Sequence, residues 1–416
     1  MKQALRSFLI ISLIVFTIVM VGCKKEEKAS AEAEGAETKA SEAAGADEEP
    51  TVVVDEWEIP FLDSLTGPIA SIGEYLLWGA ERAASEINEA GGIAGKPVKV
   101  IGIDTGMSPE KGTVEMAKIT DGGSLVAMGP VPEPVIMAAM PIAVEAEMIS
   151  FTATTSYEYA VQFFPWSISW FAPTEAKLPP IVVTWAENHP DMESCVQFVE
   201  NYGPWPGMAD AHDIGLEEAG VEVLNEVEVP TDAVTFGPLI VKALSQEPDG
   251  VVLACNAEKA AKIIKELNNR GWEDNSKILI FNSADDAALY TTGGSALNGA
   301  MIYNYTNPEL DTPRWNAFKE AYADDHDGMS PPSLSTHYYD AVYMIKEAIE
   351  ETNITGDPKK LQEERAMLAG YCRNVKNFEG LQFTWSMEDG VPTDKPLYLF
   401  EIQDGEKNLV QEVRPE

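Results

Sequence analysis

The chain has 416 residues, of which 45% are apolar, and a single hydrophobic core stops growing at about 250–300 residues. The composition therefore predicts a globular body with two lobes and excludes a chain that is disordered throughout. Asp and Glu outnumber Lys and Arg by 68 to 29, so the surface repels phosphate and we expect no nucleic-acid partner. Four cysteines are too few for a disulfide scaffold, and four histidines without paired ligand spacing predict no metal site and no metal cofactor.

The N-terminus has the pattern of a secretory signal peptide. Lys2 and Arg6 precede an apolar run at residues 7–21, which is too short to span a bilayer of ~30 Å comfortably as a helix. The segment that ends at Cys23 resembles a bacterial lipobox, in which the cysteine becomes the lipidated first residue of the mature protein. We expect residues 1–22 to be a lipoprotein signal peptide and Cys23 to anchor the exported protein to a membrane. The alternative is an ordinary signal peptide followed by a coincidental cysteine.

The segment after Cys23 is predicted to be a tether. Residues 24–50 consist mainly of Ala, Glu, Gly, Ser and Lys and include no aromatic residue. Such a segment cannot bury enough apolar area to offset the entropy of ordering it. As a coil it spans roughly 30 Å, so residues 23–50 are expected to hold a folded domain away from a membrane surface.

Short apolar strands alternate with amphipathic helices along the rest of the chain. Residues 74–90 and 257–270 carry apolar side chains at i, i+3, i+4 and i+7, which predicts helices with one buried face. The continuous apolar runs between helices are typical of parallel strands covered on both faces. The alternation predicts an α/β fold with two doubly wound parallel-sheet lobes. We expect strands at residues 58–62, 98–104, 125–129, 148–151, 195–199, 221–229, 251–254, 278–281 and 300–303.

The alternation changes at two places. Residues 163–180 contain four prolines, after which strands and helices start afresh, so we place a lobe boundary there. Residues 381–410 contain a turn pattern at 388–390, which predicts a pair of strands. Ligands of doubly wound folds bind beyond the carboxyl ends of the strands, so two facing lobes predict one cleft between them.

Several stretches, in order along the chain, resemble one family. Residues 65–68 fit its first loop, and residues 86–95 are a near match to its commonest signature. Residues 129–130 and 153–154 fit the loops after its third and fourth strands, and residues 339–342 match a later helix. The ordered set resembles the leucine/isoleucine/valine-binding type of extracellular solute-binding protein, over roughly residues 55 to 410.

This resemblance implies the type I periplasmic binding fold, with three chain crossings that form a hinge between the lobes. We place the crossings near residues 164–172, 297–301 and 378–381. The lobes then comprise residues 51–168 with 299–378, and residues 169–298 with 379–412. Such proteins close on a small solute and deliver it to an ABC permease. The resemblance therefore implies a branched-chain or other apolar amino acid as solute and a permease as partner.

The resemblance also carries candidate ligand contacts onto this sequence. Ala153 and Thr154 match the loop whose backbone and hydroxyl hold the ligand's carboxylate or amine. Tyr202 matches a tyrosine that faces the cleft in the second lobe. Ile72 stands where amino-acid binders often carry an aromatic residue. Ordinary turn capping is the alternative role for Thr154.

Two acidic positions bear on the choice of ligand. Asp285, with Asp286 beside it, stands where the family holds an acidic or polar residue for the ligand's ammonium group. A helix N-cap is the alternative for one of the two. Glu133 stands near the place of a serine that contacts the ligand carboxylate. It would repel that carboxylate, so we expect it to accept from a cationic or amide N–H group, or to be a solvated loop residue.

An enzyme and a ligand sensor are the two alternatives to solute delivery. The sequence contains none of the common nucleophile, phosphate-loop, dinucleotide or zinc-protease motifs, so we expect no enzyme and no cofactor. A ligand sensor would need a separate signalling partner, because no second long apolar run follows the domain. Amides, urea-like solutes and aromatic acids remain alternative ligands, because Glu133 and Ile72 depart from the amino-acid pattern.

Overall fold

The computed structural model describes residues 51–67, 69–152, 162–169, 174–201 and 205–414. The predicted signal peptide, tether and lipidation site Cys23 lie outside the described residues. From Trp57 onward the chain builds two sheets, each covered by helices on both faces. The expected strands are all present, with ends that differ by at most one residue from the predicted ones.

The first sheet is entirely parallel and has the order β2-β1-β3-β4-β5. Alternate side chains of its strands enter two separate cores, so that Phe61 faces one layer of helices and Leu62 faces the other. The chain in this part runs β1 (Trp57–Asp63), α1 (Ala70–Glu89), β2 (Val98–Asp104), α2 (Pro109–Asp121), β3 (Val126–Met128), α3 (Glu133–Glu145), β4 (Ile149–Thr152) and β5 (Ser167–Ser169).

The second sheet begins after the first crossing of the chain. Its helices and strands are α4 (Thr174–Glu187), β6 (Ser194–Glu200), α5 (Trp205–Glu218), β7 (Glu222–Val229), α6 (Gly237–Leu244), β8 (Gly250–Ala254), α7 (Ala257–Asn269), β9 (Ile278–Ile280), α8 (Ala287–Gly293) and β10 (Met301–Asn304). Strands β6 to β10 are parallel, and all of them except the edge strand β7 are buried on both faces. Short 3-10 turns lie at Asn275–Lys277, Asn282–Ala284 and Gly294–Leu297.

The C-terminal part returns to the first lobe and then completes the second sheet. It comprises α9 (Pro313–Asp325), α10 (Ser335–Glu351), a 3-10 turn (Pro358–Lys360), α11 (Leu361–Asn374), β11 (Phe378–Glu379), β12 (Thr384–Trp385), β13 (Met387–Glu388), β14 (Val391–Pro392), β15 (Leu397–Gln403) and β16 (Glu406–Val413). Strands β15 and β16 pair antiparallel at the edge beyond β10, which gives the order β16-β15-β10-β9-β8-β6-β7. The turn pattern at 388–390 joins the two short strands β13 and β14, whereas the apolar residues on either side of it were wrongly expected to pair with each other. Strand β12, with Trp385, pairs with β11, and β15 pairs with β10 and β16.

Two of the predicted lobe limits differ from the sheet and core membership of the chain. Strand β10 pairs with β9 in the second sheet, although the limit at 298/299 assigned it to the first lobe. Trp385 and Met387 pack in the first core, although the limit at 378/379 assigned them to the second lobe. The second and third crossings therefore follow Asn304 and Pro392. The reason is that an apolar run does not reveal which of two sheets will bury it.

The proline-rich interruption contains structure that the sequence pattern conceals. Strand β5 pairs with β4, and α4 continues through Pro179 and Pro180 although proline removes a helical hydrogen bond. Leu178, Ile181 and Trp185 are fully buried against the second sheet. Burial of this face therefore outweighs the local cost of the two prolines.

Close helix packing fixes the first lobe. A methyl carbon added at Gly79 of α1 would lie 2.0 Å from the backbone oxygen of Ser335 at the start of α10. The helices can approach this closely only because position 79 lacks a side chain. Tyr338 of α10 also donates a hydrogen bond to the carbonyl of Phe151 at 2.8 Å, which ties the helix to strand β4.

Three cysteines of the described chain are free and fully buried. Cys195 and Cys255 lie in the second lobe, and Cys372 lies in α11. Burial raises the pKa of all three thiols, and that of Cys195 reaches about 12. They are apolar packing residues rather than members of a disulfide.

Candidate functional site

Asp63 ends strand β1 at the carboxyl edge of the first sheet. It is 1% exposed, and its Oδ1 atom accepts a hydrogen bond from the backbone N–H of Ser64 at 2.7 Å. Its Oδ2 atom is buried without a hydrogen-bond partner among the described residues, and the backbone N–H groups of Ser64 and Val131 only partly offset the effect of burial on the pKa. Burial raises the pKa of Asp63 to about 7. The first lobe therefore presents a desolvated carboxyl group at the position where doubly wound folds bind ligands.

The neighbouring acid, Asp104, has a structural role. Its carboxylate accepts hydrogen bonds from the backbone of Leu65, Thr66 and Gly106 at 2.9–3.0 Å, and it forms an ion pair with Lys111. Desolvation raises the pKa of this carboxyl group, but the hydrogen bonds outweigh that effect and lower the pKa overall. Asp104 thus holds the loop that follows β1 and has no capacity left for a solute.

Glu133 is the first residue of α3 and follows the loop at the end of β3. Its side chain is partly exposed and makes no hydrogen bond or ion pair with the part of the chain that the structure describes. Desolvation raises its pKa. The structure places Glu133 at the same edge of the first sheet as Asp63, since both flank the loop that contains Val131.

Tyr75 of α1 is a partly buried residue that packs against the first core and that sequence reasoning did not single out. Desolvation raises the pKa of its phenol, and the charges of Asp286, Asp63 and Asp285 raise it further. Acidic groups of both lobes therefore influence this phenol electrostatically. Ile72, one helical turn earlier, is partly buried and packs against the first core. The i, i+3 spacing from Ile72 is the signal that would have found Tyr75.

Asp285 lies at the carboxyl edge of the second sheet and already has its partners. Its side chain is 4% exposed and accepts hydrogen bonds from Tyr290 Oη and Asn304 Nδ2, each at 2.5 Å. Lys407 of β16 completes a buried ion pair with it. The ammonium group next to Asp285 is therefore that of Lys407. Asp286 is the N-cap of α8, where its Oδ1 atom accepts from Ala288 N at 2.8 Å.

A second buried ion pair lies along the same edge of the second sheet. Glu200 at the end of β6 pairs with Lys259 of α7 and accepts hydrogen bonds from Asn256. The acid at the carboxyl end of β6 therefore already has a cationic partner within the protein.

The remaining predicted contacts lie outside the described residues. Ala153, Thr154 and Tyr202 are among them. Their roles stay predictions.

Where the chain crosses between the lobes, a small cavity lies beside two charged groups. Tyr305, His337, Asp340 and Lys395 line a space of about 10 Å³, which holds no more than one water molecule. Burial raises the pKa of Asp340 and lowers that of Lys395, and each charge partly offsets the effect on the other. This cavity is too small for a solute, so it belongs to the connection between the lobes.

No helix among the described residues is both long and apolar enough to cross a bilayer. No group of three His, Cys, Asp or Glu side chains in the same residues is arranged to hold a metal ion.

A family model described as periplasmic binding protein matches residues 56–407. The chain belongs to this family. Its expected fold, two doubly wound parallel-sheet lobes of the type I periplasmic binding kind, is confirmed by solved structures. Members of the family bind solutes.

Three known proteins illustrate the similarity. The Leu/Ile/Val-binding protein BraC3 of Rhizobium johnstonii is 23% identical over 302 residues, which cover 72% of this chain and 80% of that protein. The branched-chain amino acid transporter substrate-binding protein LivJ of Streptococcus pneumoniae, in complex with isoleucine, has a TM-score of 0.73 at 18% identity and covers 86% of this chain and 100% of its own. A solute-binding protein of an ABC transporter from Rhodopseudomonas palustris, in complex with 3,4-dihydroxybenzoic acid, has a TM-score of 0.72 at 18% identity and covers 87% and 98%.

Proposed function

We propose that this periplasmic binding protein is the solute-binding component of an ABC importer. Its two lobes close on a small solute, a branched-chain or other apolar amino acid, and deliver it to a permease. The observation that carries the proposal is the family match over residues 56–407, which spans both lobes. The similar proteins named for leucine, isoleucine and valine support the choice of solute class.

The proposal includes export and a lipid anchor on Cys23. The lipobox-like segment and the acidic tether of residues 23–50 support it. A tether to the membrane raises the local concentration of the binding protein near a membrane permease. The tether would leave the lobes free to open and close at the surface.

The contacts between the lobes support a role in closure. Val131 of the first lobe packs against the first core and against a core of the second lobe, and Leu334 does the same. A solute that binds more tightly to the closed conformation shifts the population toward that conformation. The permease would then receive the solute from the closed protein.

Ligand contacts are proposed at Glu133, Ala153, Thr154, Tyr202 and Ile72. Asp285 is a weaker candidate, because its carboxylate is already paired with Lys407. An aromatic or amide solute is the second candidate. The pairing of Asp285 favours it, because a solute without an ammonium group does not need that carboxylate. The similar protein that holds 3,4-dihydroxybenzoic acid supports the aromatic alternative.

A thermal-shift experiment on the protein extracted in detergent tests the proposed function. Leucine, isoleucine, valine and 3,4-dihydroxybenzoate are each added at increasing concentration. A ligand at 100 times its Kd stabilises the folded state by about 2.7 kcal/mol, which raises the melting temperature measurably. Thr154→Ala should weaken the shift, whereas Thr384→Ala, an exposed residue of β12, should leave it unchanged. An absence of any shift with all four solutes would contradict these two solute classes.

A further inference from the structure

We propose that Asp63 is the residue that pairs with an ammonium or guanidinium group of the solute. This inference rests on the proposed function, because it takes the cleft between the lobes to be a solute site. It adds a specificity-determining residue that the family resemblance does not supply.

Asp63 differs from the other buried acids at the carboxyl ends of the strands. Glu200 is paired with Lys259, and Asp285 is paired with Lys407. Asp63 is buried as deeply as either but has no cationic partner within the described ranges. A buried carboxylate without a counter-ion is costly, so a cation supplied from outside would stabilise it.

The groups around Asp63 do not satisfy its Oδ2 atom. Tyr338 of α10 lies close enough for the two groups to interact, but its hydroxyl donates to the carbonyl of Phe151. The backbone N–H of Ser64 donates to Oδ1, and Oδ2 remains without a partner in the described chain. The Oδ2 atom of Asp63 is therefore a hydrogen-bond acceptor that receives no donor from the described chain.

The second lobe presents unfilled acceptors as well. Asn304 at the end of β10 donates its amide N–H to Asp285, which fixes the orientation of the amide and leaves Oδ1 buried without a partner in the described structure. Asn282, after β9, likewise has a buried Oδ1 atom that lacks a described partner. Ammonium and guanidinium groups offer only donors, so they complement such a set of acceptors.

The phenol of Tyr75 is influenced electrostatically by acids from both lobes. These acids are Asp63 in its own lobe and Asp285 and Asp286 in the other. An aromatic ring beside carboxylates is a favourable environment for an organic cation. Glu133 adds a second acid without a cationic partner at the edge of the first sheet, which disfavours a solute carboxylate there.

Four compounds separate the charge classes in a thermal-shift titration. L-leucine is a zwitterion, isoamylamine is leucine without its carboxylate, and 4-methylpentanoate is leucine without its amine. Agmatine adds a guanidinium group. Isoamylamine or agmatine should raise the melting temperature, and 4-methylpentanoate should not.

Asp63→Asn is the decisive variant, because it keeps the shape of the side chain and removes its charge. It should raise the Kd of the cation at least tenfold. Asp121→Asn makes the same change of charge at an exposed site at the far end of α2 and should leave the Kd within twofold. If Asp63→Asn binds the cation as tightly as the unchanged protein, Asp63 is not its partner and the inference is overturned.

The pH dependence of the unchanged protein is a second test that does not require the variant to fold. The titratable groups that face Asp63 are Tyr75 and Tyr338, with Glu133 on the same edge and Asp285 across the cleft. A cation that pairs with ionised Asp63 should bind several-fold more tightly at pH 8 than at pH 6, since protons compete for the carboxylate at the lower pH. An affinity that does not change over this range overturns the inference.

The outcomes also separate this inference from the proposed function. A shift with leucine that Asp63→Asn leaves unchanged supports amino-acid binding and overturns the inference. A shift with either cation that Asp63→Asn abolishes supports both. No shift with any of the four compounds contradicts the inference and the amino-acid proposal together.

Discussion

Lys407 and Asp285 are 122 positions apart in the chain, yet they form a buried ion pair that fastens the edge strand β16 to the loop after β9. The carboxylate is nearly inaccessible, so it relies on this one lysine for charge compensation. The pair also removes Asp285 from the set of free acids at the cleft.

Loss of the lysine should destabilise the fold. We expect Lys407→Met to lower the free energy of unfolding by roughly 3 kcal/mol, because it leaves a buried carboxylate unpaired. Urea unfolding monitored by tryptophan fluorescence measures this change. The double variant Asp285→Asn/Lys407→Met should lose less than the sum of the two single variants. Strict additivity would contradict a direct interaction.

The burial of Asp63 predicts a stability gain that depends on pH. Its pKa is about 7 in the folded protein, against 3.8 for an ordinary Asp, so the folded state binds the proton more tightly than the unfolded state. Its contribution is present in full below pH 4 and is lost as the pH rises through 7. Asp63→Asn should therefore be more stable than the unchanged protein at pH 8, by on the order of 1–4 kcal/mol, and closely similar at pH 4.

Urea unfolding of both proteins at the two pH values provides the comparison. The difference between them cancels the titration of all other acidic groups to first order. A stability difference that is the same at pH 4 and pH 8 would argue against a raised pKa for Asp63.

The contact between α1 and α10 predicts strong sensitivity at one glycine. Gly79→Ala places a methyl carbon against the backbone oxygen of Ser335, which cannot rotate away, so the helices must separate. We expect a loss of about 3 kcal/mol in the free energy of unfolding. The matched control is Gly370→Ala in α11, where an added methyl group meets nothing within 4 Å and should stabilise the helix by about 0.5–1 kcal/mol. Equal effects of the two substitutions would contradict the close packing.

The proposed lipid anchor predicts where the protein is found after cell fractionation. Cys23→Ser should transfer most of the protein from the membrane fraction to the soluble fraction, because a single thiol is the proposed attachment point. Immunoblotting of both fractions measures the distribution. A change of Ser30 to Ala in the tether provides the control and should leave the protein with the membranes. Retention of Cys23→Ser on the membrane would contradict anchoring through this residue.

Much of the fold could be predicted because its strands are local signals. Runs such as residues 251–254 and 278–281 are apolar throughout, and a strand covered on both faces requires that composition. The lobe limits could not be predicted as well. The apolar composition of strand β10 and of the segment around Trp385 would suit burial in either lobe. Only tertiary packing decides which sheet or core includes them.

The candidate site was harder to predict for a different reason. In a chain with 68 acidic residues, Asp63 is not distinguishable by sequence from solvated acids. Its importance arises from burial and from the absence of a described cationic partner, both of which depend on three-dimensional packing. Asp285 shows the converse, since its sequence position suggested an ammonium partner but could not reveal that a distant lysine fills that role.

Thiol-directed dyes should not react with the three buried thiols of the described part of the chain. Cys195, Cys255 and Cys372 combine full burial with raised pKa values, so maleimides should leave them unmodified in the native protein. New cysteines at Val114 in α2 and Val234 after β7, which are 53% and 75% exposed, would then accept a fluorophore pair without replacement of these native residues. Energy transfer between the two dyes would follow the opening and closing of the lobes in real time, even before any solute has been identified.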